Sequence, residues 1–363
     1  MLTTQKSRPA TYPQPFRTHA RPFITTKEQD VALATSNMIL PRREESMEDL
    51  IDHPSGFLTL SSRNQHFTVP GISGFISFRE QGRHVIALGG VQAPQSQRGV
   101  LLDHLLAFAS SRRRRVLVVQ LRAEQVQLFS DRGFSINQVG TSFGLSLRNF
   151  TLRGTRKMQL RNKISRARAS GLRAVEFGVD WPRNEMTFGE LHEVSAEWLK
   201  AKNKKELDFM IGEIGPPEDA RRRIFAAIDP TDRCVAFITY VPSWGRAPGY
   251  LHDLSRRLPS APPGALELCN ARAIEVMISE GAPYLHFGFT PFVVGGPEFP
   301  GANRLAAWAV PLLYRYGAAI YPAASQAHYK LKWTPDIIER EYLAANPLSV
   351  RAVFDLLFLT RSL

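Results

Sequence analysis

The 363-residue sequence predicts an α/β (α+β) fold in which mixed sheets are flanked by helices and two similar units follow one another. Three observations support this. The chain is 44% hydrophobic and 22% charged, the composition of a packed globular protein rather than a disordered one. It is long enough for two domains of ~100–200 residues. Short β-rich segments alternate with stretches of helical apolar spacing, and the order in the first half returns loosely in the second.

Residues 1–42, rich in Pro, Thr and Arg, read as a disordered basic leader. The leader has no apolar core for secretion and no acid before Glu28, which keeps an organellar presequence open. Residues 43–150 read as the N-terminal unit. In EESMEDLIDHP, Met47, Leu50 and Ile51 fall at helical spacing and Pro54 ends the run. The segments FLTLSS, QHFTVPG, GFISFREQG and RHVIALGG predict an antiparallel meander. A helix follows with Val100, Leu101, Leu105 and Phe108 on one face, then the strand VLVVQL and a short helix closing at Gly133. SINQVGTSFGLSL reads as two more strands. This order resembles the GCN5-related acyltransferase fold.

Residues 151–173 read as a connecting basic helix, and 174–363 as a C-terminal unit of similar order. In that unit RAVEFG is a strand, FGELHEVSAEWLKAK a helix, and PPEDARRRIF another helix. CVAFITYVPS and APGYLHDLSRR are strands, PGALELCNARAIEVMISEG a helix, and YLHFGFT a strand before a last helical and loop region. Leu305 to Ala324 is the nearest approach to the ~18 apolar residues a membrane span needs. Arg315, Pro311 and Pro322 make it a short buried helix followed by a loop or strand, and a transmembrane class is excluded.

The net charge is +13, and 36 of the 46 basic residues are Arg. Guanidinium favours bidentate contact with phosphate, so a polyanion is the expected partner: tRNA, anionic lipid or a phosphorylated substrate. Between Arg148 and Arg173 stand nine basic residues and no acid. Leu160, Ile164 and Ala167 form the docking stripe of a helix there. Arg153, Arg156, Lys157, Arg161, Lys163, Arg166 and Arg168 are left as a cationic, tRNA- or phosphate-binding surface. A solvated face is the ordinary role of a charge run, but unrelieved like charges cost helix stability.

Asp253 and Arg256 stand at the end of a predicted strand, where α/β folds place ligand contacts. His252 alternates to the face opposite Asp253, and His286 reads as a core histidine. Cys234 and Cys269 lie in apolar contexts without metal-ligand spacing, which fits a reducing cytoplasm and no metal site.

The ordered segments FTLRGTRKMQLRNKISRARASGL, EWLKAKNKKELDFMIGE, HDLSRR…PPGALEL, FGFTP and LYRYG…HYKLKWTPDIIEREYLAANP resemble the soluble catalytic domain of phosphatidylglycerol lysyltransferases. These enzymes are among the aminoacyl-tRNA-dependent aminoacyl-lipid synthases. The resemblance covers about residues 55–350. It implies two tandem acyltransferase-like domains and transfer of an aminoacyl group from charged tRNA to a lipid hydroxyl, commonly that of phosphatidylglycerol. No cofactor is implied beyond aminoacyl-tRNA as co-substrate. The family's Asp-Leu-x-Arg element falls on Asp253 and Arg256, and its Tyr-Lys-x-Lys-[Phe/Trp] element on Tyr329, Lys330, Lys332 and Trp333. Asp253, Arg256, Lys330 and Lys332 are thereby implied as catalytic. Glu206, Phe209, Phe289, Tyr329 and Trp333 are implied as substrate-binding, although Asp208 replaces the usual Gly of the Glu-x-Gly-Phe-x-x-Gly element. The implied location is cytoplasmic, with peripheral contact at the inner membrane face. The alternatives are a small amine or hydroxylamine acceptor, an acyl-CoA donor and a non-enzymatic tRNA or membrane binder. QAPQSQRGV lacks the glycines of a pyrophosphate loop, which argues against acyl-CoA.

Overall fold

The computed structural model describes residues 46–362 except 217, 218 and 320, so the leader expected at 1–42 lies outside the described residues. Ile76–Gln81 (β2) and His84–Leu88 (β3) join Gln65–Phe67 (β1) in the expected antiparallel meander. The FLTL segment is instead a buried 3-10 helix, Gly56–Leu60. Helix α1, Gln95–Ser111, buries Leu101, Leu102, Leu105 and Phe108, whereas Val100 faces outward. It leads to β4, Arg115–Arg122, which runs parallel to β3. After α2, Ala123–Ser130, a single twelve-residue strand, β5 (Ser135–Ser146), replaces the two strands expected.

A 3-10 turn then precedes α3, Met158–Ala169, which buries Leu160, Ile164 and Ala167 against α5, Ala265–Ser279. Strands β6 (Arg173–Glu176), β7 (Arg223–Ile228), β8 (Cys234–Ser243) and β9 (Gly249–Arg257) form a second meander, with α4, Glu185–Lys202, between the first two. No helix stands at the described part of PPEDARRRIF; a bend at Arg222 opens directly into β7. Beyond α5, β10 (Tyr284–Pro291) runs parallel to β9. The chain continues through α6 (Arg304–Tyr316), α7 (Ala323–Leu331), β11 (Ile337–Ala345) and α8 (Val350–Leu359).

Among the described residues eleven strands form one sheet in the order β1-β2-β3-β4-β11-β5-β10-β9-β8-β7-β6. The centre of that order is a strand exchange. Each half contains a parallel pair joined by a helix, β3-α1-β4 and β9-α5-β10, followed by one more strand. That following strand pairs across the molecule, β11 with β4 and β5 with β10, and the two pair with each other. The sheet is therefore continuous across the division expected between residues 150 and 174. Strand β11, in a stretch whose sequence predicts only helix and loop, lies deep in the N-terminal half.

Candidate functional site

A β-bulge builds the first part of the site. Residues three apart on a regular strand point to opposite faces of a sheet, which would separate Asp253 from Arg256. In the β8–β9 ladder Tyr240 pairs with His252 and Ile238 with Ser255, so Asp253 and Leu254 together oppose Thr239. The Thr239 hydroxyl accepts the Leu254 N–H at 3.0 Å. The extra residue turns Asp253, Leu254 and Arg256 all toward α4. His252 points the other way, against Tyr240, Phe287 and Tyr329, as expected.

On the α4 face the buried Asp253 and Arg256 are both in ion pairs. Asp253, its side chain 2% exposed, accepts from Arg222 at 2.7 Å and from the Gly212 N–H at 2.8 Å. Burial pushes its carboxyl up, against the opposing pull of Arg222. Arg256 pairs with Glu206 and lies 4.2 Å from the centre of the Trp198 ring. These contacts hold a strap, residues 204–216, across the end of the sheet. Asp208 ties the strap to the N-terminal half through Arg63 and Arg79, both at 3.0 Å. Phe209 is buried there with Leu58, Leu88 and Leu343, away from the site, so its expected substrate contact is replaced by an anchor. A Cβ at Gly212 would overlap the Asp253 carboxylate, so a side chain there would push that carboxylate off Arg222 and the Gly212 N–H.

Between the strap and α4 opens a cleft of about 550 Å³, lined by His192, Ser195, Leu199, Glu206, Glu213 and Leu254 among others. Its two carboxylates are each held by an arginine, Glu206 by Arg256 and Glu213 by Arg63 at 3.0 Å, so an ammonium entering over the apolar floor would share them. Asp253 and Arg256 lie behind this wall and act on it through Gly212 and Glu206.

Lys330, Lys332, Tyr329 and Trp333 occupy the opposite face, whereas Phe289 shares the Asp253 face with Ser142 and Glu341. Lys330 is buried and donates to the carbonyls of Gly288 and Phe289 at 2.9 and 3.0 Å. Burial pushes its amine down to about 7. Glu341 of β11 is pushed up by burial to about 7; it accepts the Ser142 hydroxyl and stands 3.7 Å from His53. Trp333 is fully buried between Phe150 and Phe287, and Tyr329 is enclosed beside His252, so both are core rather than cleft residues. Phe289 is half-buried on β10. Lys332 shares Glu267 with Lys163, at 3.5 and 3.4 Å. The four residues expected to be catalytic thus divide into two pairs on two faces of the sheet.

The cationic helix is present but partly neutralised. Lys163 and Arg168 meet Glu267 and Glu275 of α5. Lys157 and Arg161 donate to backbone carbonyls at Thr151, Leu152 and Gly154. The Arg153, Arg156 and Arg166 side chains are exposed without an ion pair among the described residues.

Sequence reasoning missed Arg222, Gly212, Trp198 and Glu341. Gly212 had a signal, as the last Gly of the Glu-x-Gly-Phe-x-x-Gly element. Arg222 had none, because its partner is distant in sequence. Among the described residues no group of three or more His, Cys, Asp or Glu could hold a metal ion, and no helix is long and apolar enough to cross a membrane. Cys234 and Cys269 are buried free thiols, and burial pushes both up.

The profile of the family described as "Phosphatidylglycerol lysyltransferase, C-terminal" matches residues 44–345. Phosphatidylglycerol lysyltransferase of Bacillus subtilis (strain 168) is 25% identical over 283 residues, covering 76% of this chain and 31% of that protein. The lysylphosphatidylglycerol biosynthesis bifunctional protein LysX of Mycolicibacterium gilvum is 27% identical over 229 residues, 60% of this chain and 20% of its own length. The chain thus spans a third or less of these curated relatives. The structure of L-PGS from Bacillus licheniformis superposes with a TM-score of 0.68 at 20% identity, covering 85% of this chain and 93% of that one.

Proposed function

Since this chain belongs to the phosphatidylglycerol lysyltransferase C-terminal family, we propose that it is an aminoacyltransferase working from aminoacyl-tRNA onto the hydroxyl of a lipid, phosphatidylglycerol first. Lysine is the first amino acid to test. The observation that carries this reading is the extent of the match, residues 44–345, which takes in the sheet, the cleft and the cationic helix together.

The chemistry asks for alignment more than activation. The acceptor hydroxyl oxygen attacks the aminoacyl ester carbonyl, the bond to the tRNA ribose breaks, and the hydroxyl proton ends on the ribose oxygen. An ester exchanges for an ester, so positioning supplies much of the rate. Glu206 and Glu213 hold the aminoacyl ammonium in the cleft. Arg256 fixes Glu206, and Asp253 fixes the strap through Gly212 and Arg222, which makes both positioning residues. Lys330 secures the bulged end of β10. Arg153, Arg156 and Arg166 contact tRNA phosphates.

Incubation of the purified chain with radiolabelled lysyl-tRNA and phosphatidylglycerol vesicles tests the reading. Label extractable with lipid and released by mild alkali is the expected result. Label that passes only to a soluble amine, turnover with acetyl-CoA alone, or tRNA binding without transfer would each overturn it.

A further inference from the structure

The sequence predicts a buried helix at α6, and the helix is instead exposed along one side. Its inner side rests on β5, with Val310 buried. Asn303 and Asn137 exchange hydrogen bonds of 3.0 and 3.1 Å that pin the start of the helix. The outer side carries Leu305, Trp308, Leu312 and Tyr316 at spacings of three, four and four, one continuous stripe. Their exposures are 77%, 68%, 37% and 70%.

Arg304 and Arg315 border this stripe along one edge, and neither makes an ion pair among the described residues. Arg315 lies 5.3 Å from the centre of the Tyr316 ring. No Asp or Glu occurs between Glu298 and Asp336. An apolar stripe with Trp and Tyr, edged only by cations, matches a helix that lies in the plane of a membrane interface. A second copy of the chain fits poorly. A stable protein interface buries about 1,200–2,000 Å², more than one four-residue stripe provides, and a symmetric pairing would set arginine edges against each other in a chain of net charge +13.

We propose that the Leu305–Trp308–Leu312–Tyr316 face of α6 docks on an anionic phospholipid bilayer, with Arg304 and Arg315 against lipid phosphates. The aromatic rings then sit at headgroup depth. The proposal rests on the lipid-acceptor reading above and gives it a geometry: α6 leads through α7 to Lys330, so docking brings the sheet's central junction toward the lipid surface.

The test uses the full chain and vesicles of mixed phosphatidylglycerol and phosphatidylcholine, compared with phosphatidylcholine alone, in flotation. Transfer is measured on the same vesicles and on monomeric short-chain phosphatidylglycerol. Wild type is expected to float with the anionic vesicles. L305E/W308E should lose roughly tenfold or more in vesicle partition and in transfer to vesicles, while keeping transfer to the monomeric acceptor. R304Q/R315Q should lose the preference for anionic vesicles. Both variants change exposed side chains, and an unchanged thermal melt confirms folding. Vesicle binding by L305E/W308E equal to wild type, or transfer lost equally on monomeric lipid, overturns the docking face. Wild type that floats with vesicles but transfers to neither acceptor supports docking and instead overturns the lipid-acceptor reading.

Discussion

Two regions of the sheet, the cleft end of β9 and the central junction of β4, β11, β5 and β10, use the same kinds of residue to opposite ends. Beside the open cleft, Asp253–Arg222 and Arg256–Glu206 are close ion pairs. At the central junction, Glu341 and His53 on this same face and Lys330 and His252 on the reverse are shut away from the cleft, and burial pushes each toward its neutral form, the histidines down to about 3. The difference is partner geometry. The Arg222 guanidinium opposes the upward push of burial on Asp253, whereas an amine spent on two backbone carbonyls has little compensation for its charge. The cleft end of β9 is thus equipped to hold a charged ligand, and the central junction to lock the exchanged strands together.

The largest expected effect comes from unpairing the α4 face. Asp253→Ala leaves Arg222, 5% exposed, without its close partner and the Gly212 N–H without an acceptor. Breaking such a buried pair costs about 3–5 kcal/mol, to be read by urea unfolding. Asp253→Asn keeps one acceptor oxygen but sets an NH2 donor against the other donor, so it should recover only part of that cost. If the Ala variant unfolds like wild type, the contrast between the two regions is wrong.

The second prediction concerns the enclosed central junction and is a matter of pH. Glu341 titrates near 7 in the fold against an ordinary 4.5, so its folded form holds a proton that the unfolded chain has released. Its stabilising contribution is full below pH 4.5 and is lost as pH rises through 7. Lys330 titrates near 7 against 10.5, so the unfolded chain binds the extra proton and stability recovers as pH rises from 7 to 10.5. The pair's contribution is therefore lowest near neutrality, with limbs on the order of 3–5 kcal/mol. Urea midpoints across pH 4–10 check this. Glu341→Gln should flatten the acid limb and Lys330→Met the alkaline limb, each also moving the limb that remains, because either group feels the other's charge.

Smaller again is the effect of Arg256→Lys. The charge remains, but the guanidinium that donates at once to Glu206 and the Ser255 carbonyl and stacks on Trp198 disappears. KM for aminoacyl-tRNA should rise about tenfold, equivalent to 1.4 kcal/mol, with kcat largely kept. A fall in kcat at constant KM would mean that Arg256 touches the reacting atoms.

Much of the helix and strand order is legible because apolar periodicity and turn residues are local. What escapes depends on partners far along the chain. IIEREYLAA carries alternation only in its first residues, because its last five are buried on both sides by β4 and β5, which no local pattern announces. The Asp253–Arg256 spacing is legible as a motif, but the bulge that brings both to one face is not. Lys330 and Lys332 read as neighbours of equal standing. One is enclosed by β10 carbonyls and the other shares a glutamate at the foot of α3.

The smallest effect should come from α3, and it divides residues that the sequence treats alike. Arg156 and Arg166 are exposed and unpaired among the described residues, whereas Lys163 and Arg168 face Glu267 and Glu275. A cation already paired with a carboxylate has less charge to offer a phosphate, and exposed pairs contribute only about 0.2–1 kcal/mol to stability. Arg156→Gln with Arg166→Gln should leave the melting curve unchanged and weaken tRNA binding a few-fold. The slope of log K against log salt should become shallower by roughly 1.5–2, because each phosphate that is no longer neutralised keeps its condensed counterions. Arg168→Gln should change that slope by less than half as much per residue. Equal slopes for the paired and unpaired arginines would mean that tRNA recruits the whole helix and breaks the α3–α5 pairs on binding.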